Sequence, residues 1–189
     1  VYWHMVSKLL LAVQECFLWA VEQNEYATVI KKLADAYYDI RSGIGFNKPP
    51  EVYGAFPTDP YSHTPAGKGA RQPGMTGQVK EEILTRLGEM GLFVSDGRIT
   101  FNPVLLRAQE FLSQSQTFKY IDIADQQQEL ELPAGALAYT FCQTPIVYLS
   151  APSGKITITF ADGKTLIVEG NSLDVELSRH LFQRDGYIK

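Results

Sequence analysis

Apolar residues recur with helical spacing from Tyr2 to Gln23, at Val6, Leu9, Leu10, Val13, Phe17 and Ala20, which predicts a first helix. Leu11, Leu18 and Trp19 widen this stripe past one face, and a helix apolar nearly all round is expected to be buried. After the polar break Gln23-Asn24-Glu25, Val29, Ile30, Leu33, Ala36, Tyr37 and Ile40 predict a second helix over Tyr26–Ser42, ended by Gly43. So short a link makes the pair an antiparallel helical hairpin. A third helix is expected from Gly77 to Met90, with Thr76 as its N-cap, Val79, Ile83, Leu84, Leu87 and Met90 apolar, and Gly91 as its stop. Glu81 and Glu82 in its first turns suit the positive end of the helix dipole.

Beyond Gly91 the period falls to that of strands. Leu92–Ser95 and Arg98–Phe101 flank Asp96-Gly97, a strong hairpin signal. Asn102-Pro103 reads as an N-cap with proline at the first helical position, opening a short helix through Leu112. Strands are then expected at Phe118–Ile123, Glu129–Leu132, Leu137–Cys142, Ile146–Leu149, Ile156–Phe160 and Thr165–Val168. The last two turn at Asp162-Gly163, with one face apolar and the other rich in Thr. Asn171 or Ser172 can cap a final short helix through Phe182. The expected fold is therefore α+β: a helical part with a long loop over 1–112, then an antiparallel, β-sandwich-like part over 113–189.

Residues 43–77 carry neither period, and six of the ten prolines fall there. Phe46, Tyr53, Phe56 and Tyr61 supply large anchors that disordered linkers rarely have, so an ordered, functional loop is expected.

The net charge of −4 gives no electrostatic reason to seek a nucleic-acid backbone. The apolar start of the chain is broken by His4, Lys8, Gln14 and Glu15, and reads as neither a membrane span nor a signal peptide. Cys16 and Cys142 both sit in apolar patterns and read as two buried thiols of a reducing, cytoplasmic compartment rather than a disulfide. No capping residue precedes Val1-Tyr2-Trp3, which reads as a cut end of something larger.

Candidate chemistry concentrates in the loop. Glycines ahead of the third helix either allow an anion to approach the N-terminal amides, with Lys68 and Arg71 adding positive charge, or form only a turn, the default reading of a Gly-rich helix start; the sequence is not a Walker loop. His63, in a proline-braced polar stretch, is a proton shuttle or sugar ligand on one reading and a structurally bonded histidine on the other. Glycoside hydrolysis needs two carboxyl groups about 5 to 9.5 Å apart. Glu51 and Asp59 are the loop's carboxylates, with solvated acids as the default reading. Tyr53, Phe56 and Tyr61 either stack on sugar faces or pin the loop to its own body. Trp3 and Trp19 read as core, and His4 and His180 as structural. No cluster has metal-ligand spacing, and nothing calls for a cofactor.

Two stretches carry a resemblance. Gly67-Lys68-Gly69-Ala70-Arg71-Gln72-Pro73-Gly74-Met75-Thr76-Gly77-Gln78 precedes the third helix, and Asp96-Gly97-Arg98-Ile99-Thr100-Phe101-Asn102-Pro103 leads into the strands. Together with the order of elements, this resembles the C-terminal end of bacterial glycoside hydrolases and phosphorylases built on a six-hairpin helical toroid, of the cellobiose phosphorylase type. The resemblance implies that Arg71, Gln72, Thr76, Gln78 and His63 help hold sugar or phosphate. Such enzymes place the catalytic acid upstream, in the middle of the toroid, where nothing here corresponds. The implied role is thus one wall of a sugar site, completed by the remainder of a larger polypeptide or a partner subunit. The alternative is a non-catalytic carbohydrate-binding or assembly module. A purely structural subunit would expose apolar residues on the first helix for a partner.

Overall fold

The computed structural model describes residues 2–43, 79–150 and 154–189. The chain divides into two compact units, Val1–Glu89 and Met90–Lys189, and is mixed α+β.

In the first unit, α1 (Tyr2–Glu22) and α2 (Ala27–Gly43) form the expected helical hairpin. Asn24 takes the left-handed conformation at φ 54°, and the Glu25 amide donates to the Ala20 carbonyl at 3.0 Å, closing the end of α1. Helix α3 (Val79–Glu89) packs on α1, and Gln14 Nε2 donates to the Thr85 carbonyl at 2.7 Å. The core holds Leu10, Phe17, Ala20, Tyr37 and Tyr38, but also the polar side chains Ser7, Gln14, Glu81, Thr85 and Glu89.

Two expectations about these helices are corrected. Helix α1 is not buried all round: Met5, Leu9 and Trp19 are 62%, 51% and 60% exposed, so Trp19 is not core. Helix α3 turns its polar face inward and leaves Ile83 and Leu84 exposed, because Glu89 and Thr85 find partners on α1 and α2. Cys16 is likewise exposed rather than buried, and Cys142 is half-buried; both are free thiols.

The second unit opens at Gly91, whose φ of +72° stops the helical course as expected. β1 (Leu92–Ser95) and β2 (Arg98–Phe101) pair antiparallel in the register Leu92↔Phe101, turning through Asp96 and Gly97 at positive φ. The helix expected from Asn102 to Leu112 is replaced by irregular chain with one short 3₁₀ turn at Ala108–Glu110. Its two ends are tied to other elements, the Asn102 amide donating to the Gly91 carbonyl and the Leu112 amide to the Ala136 carbonyl at 2.8 Å, while Val104 and Leu106 donate back to Asn102 and Pro103 in short local turns.

Three further hairpins follow. β3 (Gln116–Ile121) pairs with β4 (Gln127–Leu132), β5 (Ala136–Phe141) with β6 (Thr144–Leu149), and β7 (Lys155–Thr159) with β8 (Thr165–Glu169). Each strand bonds its sequence neighbour, giving four antiparallel two-stranded ladders among the described residues. Strand β5 stops before Cys142, because Cys142 and Gln143 form the turn with φ of 51° and 63°. In β7/β8 the pairs Ile156↔Val168 and Ile158↔Leu166 share one face, with Thr157 and Thr159 on the other, as expected.

Chain segments distant in sequence bind these hairpins together. Residues 171–173 lie along β2, with the Phe101 amide donating to Asn171 and the Leu173 amide to Ile99. The C-terminal residues lie beside the end of β7, where the Lys189 amide donates to Thr159 at 2.9 Å. The core gathers Leu92, Ile99, Phe101, Leu105, Leu132, Ala136, Leu137, Ile158, Leu173, Leu177 and Leu181.

Helix α4 (Val175–Gln183) is capped by Asp174, not by Asn171 or Ser172, since those two are engaged by β2. Asp174 Oδ1 accepts from the Leu177 amide at 2.8 Å. Asp174→Ala is expected to cost about 1 kcal/mol, read from a chemical denaturation curve. An unchanged curve would mean that α4 is held by packing alone.

Candidate functional site

The catalytic candidates Glu51, Asp59 and His63, and the binding candidates Tyr53, Phe56, Tyr61, Arg71, Gln72, Thr76 and Gln78, lie outside the described residues, as does the expected cap Thr76. The concave features below are therefore built from other residues.

The larger is a groove of about 610 Å³ in the second unit. This is the size of pockets that enclose small organic ligands. Its floor is apolar, from Phe101, Leu130, Ile146, Ile156, Ile158, Leu173 and Leu181, while Tyr120, Asp122, Gln128, Gln143 and Lys189 add an aromatic ring and polar groups.

Turn chemistry sets the position of these polar residues. Asp122 directly follows β3 and organises the turn: its Oδ1 accepts from the Ala124 and Gln126 amides, both at 2.9 Å, and its Oδ2 from Gln128 Nε2 at 2.7 Å. The Gln126 amide first, then the Gln128 side chain, the Ala124 amide and the Lys189 charge, hold the Asp122 carboxyl below the usual carboxylate range. Gln143, in the β5–β6 turn, donates to the Asp122 carbonyl at 3.0 Å and accepts from Arg184 Nη1 at 2.9 Å. Arg184 is the left-handed cap of α4. Two hairpin turns and a helix end are thereby tied into one rim.

This arrangement sets hydrogen-bonding groups around an apolar surface, whereas acid–base glycoside cleavage uses a pair of carboxyl groups. Asp122 is the one carboxylate among the described lining residues, and its oxygens already accept three hydrogen bonds. Tyr120 stacks on Phe118 with ring centroids 5.6 Å apart and planes 15° from parallel, which fixes the ring. Burial, and secondarily the Asp122 charge, raise its phenol pKa, so it stays a neutral donor.

The smaller feature is a cavity of about 30 Å³ in the helical unit, bounded by Ser7, Tyr37, Arg41, Glu81, Thr85 and Glu89 among others. It is too small for a sugar ring. Glu89 binds Arg41 at 3.0 Å and also Arg86, and accepts from the Tyr37 hydroxyl at 2.9 Å. Burial first, and then the Glu89 charge, push the Tyr37 phenol far above its ordinary pKa. The cluster thus holds helices together.

His180 has the structural role expected of it: Nδ1 lies 2.6 Å from Asp185 Oδ2, and its ring rests on Tyr187 with centroids 4.3 Å apart. The His180 hydrogen bond, and then the Tyr187 amide, lower the Asp185 carboxyl pKa. Among the described residues, no group of three or more His, Cys, Asp or Glu could hold a metal ion, and no helix is long and apolar enough to cross a membrane.

Sequence reasoning did not find the groove residues. Tyr120, Gln128, Gln143 and Lys189 each look like an ordinary strand or turn residue, and only long-range hairpin packing brings them together. Asp122 fell inside the strand expected at Phe118–Ile123, whereas the strand ends at Ile121 and Asp122 lies in the turn that follows, as its short polar acceptor side chain suits. Among known proteins, no family model matches the chain, and no curated protein matches it.

Proposed function

We propose that this chain is the C-terminal segment of a carbohydrate-active enzyme, a glycoside hydrolase or phosphorylase, whose β-rich unit is a sandwich-like end domain that binds sugar. The observation that carries the reading is the groove, where an apolar floor and the fixed Tyr120 ring meet Asp122, Gln128, Gln143 and Lys189. Flat rings match the C–H faces of a pyranose, and amide and carboxylate groups match its hydroxyls. The second contribution proposed is that of the loop over residues 43–78, which seats phosphate or a sugar on His63, Arg71, Gln72, Thr76 and Gln78, with Glu51 and Asp59 as its carboxylates.

Titration calorimetry and chemical-shift mapping with glucose disaccharides test the groove. Binding is expected in the intact chain, with shifts at Tyr120 and Gln128 and an affinity about tenfold lower in Tyr120→Ala. No heat and no shifts at the groove would remove this reading. Mapping with inorganic phosphate tests the loop separately, through His63, Thr76 and Gln78.

A second reading, an assembly module, is favoured by the uncovered apolar face of α1, where Met5, Leu9 and Trp19 are more than half exposed.

A further inference from the structure

The outer face of α1 carries Met5, Leu9, Ala12, Cys16 and Trp19, all exposed. Their spacing is 4-3-4-3, the repeat that keeps one seam of a helix against another helix. This seam lies opposite the helix's own core face of Leu10, Gln14 and Phe17. A solvated face would carry polar residues at such positions, so the repeat points to a helical occupant.

The residues beside the seam say which helix. On one side lie Lys8, Glu15 and Glu22, all exposed; on the other lie Val6 and Val13, both half-buried, and Ala20, which is already in the core. In a parallel pair of α1 helices, the charged side of each would face the apolar side of its partner, and no ion pair would form. In an antiparallel pair, charged side faces charged side. The register that sets Leu9 against Trp19 of the other copy then brings Lys8 against Glu22 twice, with one Glu15–Glu15 contact at the centre. The same register sets Ala12 against Cys16, two small residues that let the helix axes approach, and Val13 against itself. It is closed by a two-fold axis, as a self-complementary interface requires.

We propose that this face is a homodimer interface, in which α1 packs antiparallel against α1 of a second copy of the chain.

Sedimentation equilibrium of the intact chain tests this. A dimer is expected in the micromolar range, and Leu9→Glu is expected to leave a monomer with unchanged circular dichroism, since Leu9 is exposed in the single chain. Lys8→Glu should weaken the dimer about tenfold, and adding Glu22→Lys should restore it. Ala12→Cys should yield a covalent dimer with Cys16 under mild chemical oxidation, two thiols giving one disulfide and two electrons passing to the added oxidant. The unsubstituted chain should not cross-link through Cys16. A chain monomeric throughout that range, a dimer that survives Leu9→Glu, or a Cys16–Cys16 cross-link in the unsubstituted chain would each overturn the proposal.

Discussion

Glu89→Ala is expected to destabilise the helical unit by about 3–5 kcal/mol in urea unfolding, the largest effect of any single polar substitution in that unit. The Glu89 side chain is 1% exposed and is the shared acceptor of Arg41, Arg86 and Tyr37. Arg41 comes from α2, Arg86 from α3 itself, and Tyr37 is among the most buried side chains of the chain. Truncation removes the carboxylate that both guanidinium groups share and leaves the Tyr37 hydroxyl without its acceptor. The cost falls chiefly on the buried Tyr37 hydroxyl and on Arg41, since the Arg86 side chain is 38% exposed and can be solvated. Glu89→Gln keeps the shape and one acceptor oxygen but not the charge, so its loss should be smaller. Were Glu89→Ala to cost less than about 1 kcal/mol, close to an exposed ion pair, the cluster would not be what closes this unit.

Gly91→Ala should be of similar size, about 3–5 kcal/mol, in the β-rich unit, from strain and overpacking together. At φ +72° any side chain is disfavoured, and a Cβ here would stand 2.2 Å from the Asn102 carbonyl carbon and from the Pro103 nitrogen. Those are backbone atoms, held close because the Asn102 amide donates to the Gly91 carbonyl at 2.6 Å. Gly97→Ala is the internal control. Its φ is +75°, but its Cβ would meet only Val175 Cγ1, at 3.7 Å, so strain alone should cost about 1 kcal/mol. Thermal denaturation of the two variants separates the effects. Equal losses would mean that the approach of Asn102 to Gly91 is not a close one in solution.

The hairpins were legible in the sequence because each depends on a few adjacent residues. Asp96-Gly97 supplies the positive φ values of its turn, and β3 to β8 fall within two residues of the alternating runs that predicted them. The α1/α2 hairpin was legible for the same reason, through Gln23-Asn24-Glu25. Local reasoning failed where two local solutions competed. Asn102-Pro103 is a good helix start, yet Asn102 is tied to Gly91 and Leu112 to Ala136, and Val104 and Leu106 between them make only short local turns. Asn171 and Ser172 are good caps, yet pairing with β2 takes them, and Asp174 caps instead.

Composition and pattern thus established most of the element types, their order and most of their turns, since steric preference and period act over one or two turns of chain. Which faces those elements bury was decided only in three dimensions. Glu89 is polar by every sequence measure and is buried because Tyr37, fifty-two residues earlier, donates to it. Trp19 is apolar and stays exposed because nothing in the described chain packs over it. The groove has the same origin: Asp122, Gln143 and Lys189 share a rim because separate hairpins and the chain end converge on it, and burial and hydrogen-bond partners at such separations are properties of the assembled chain.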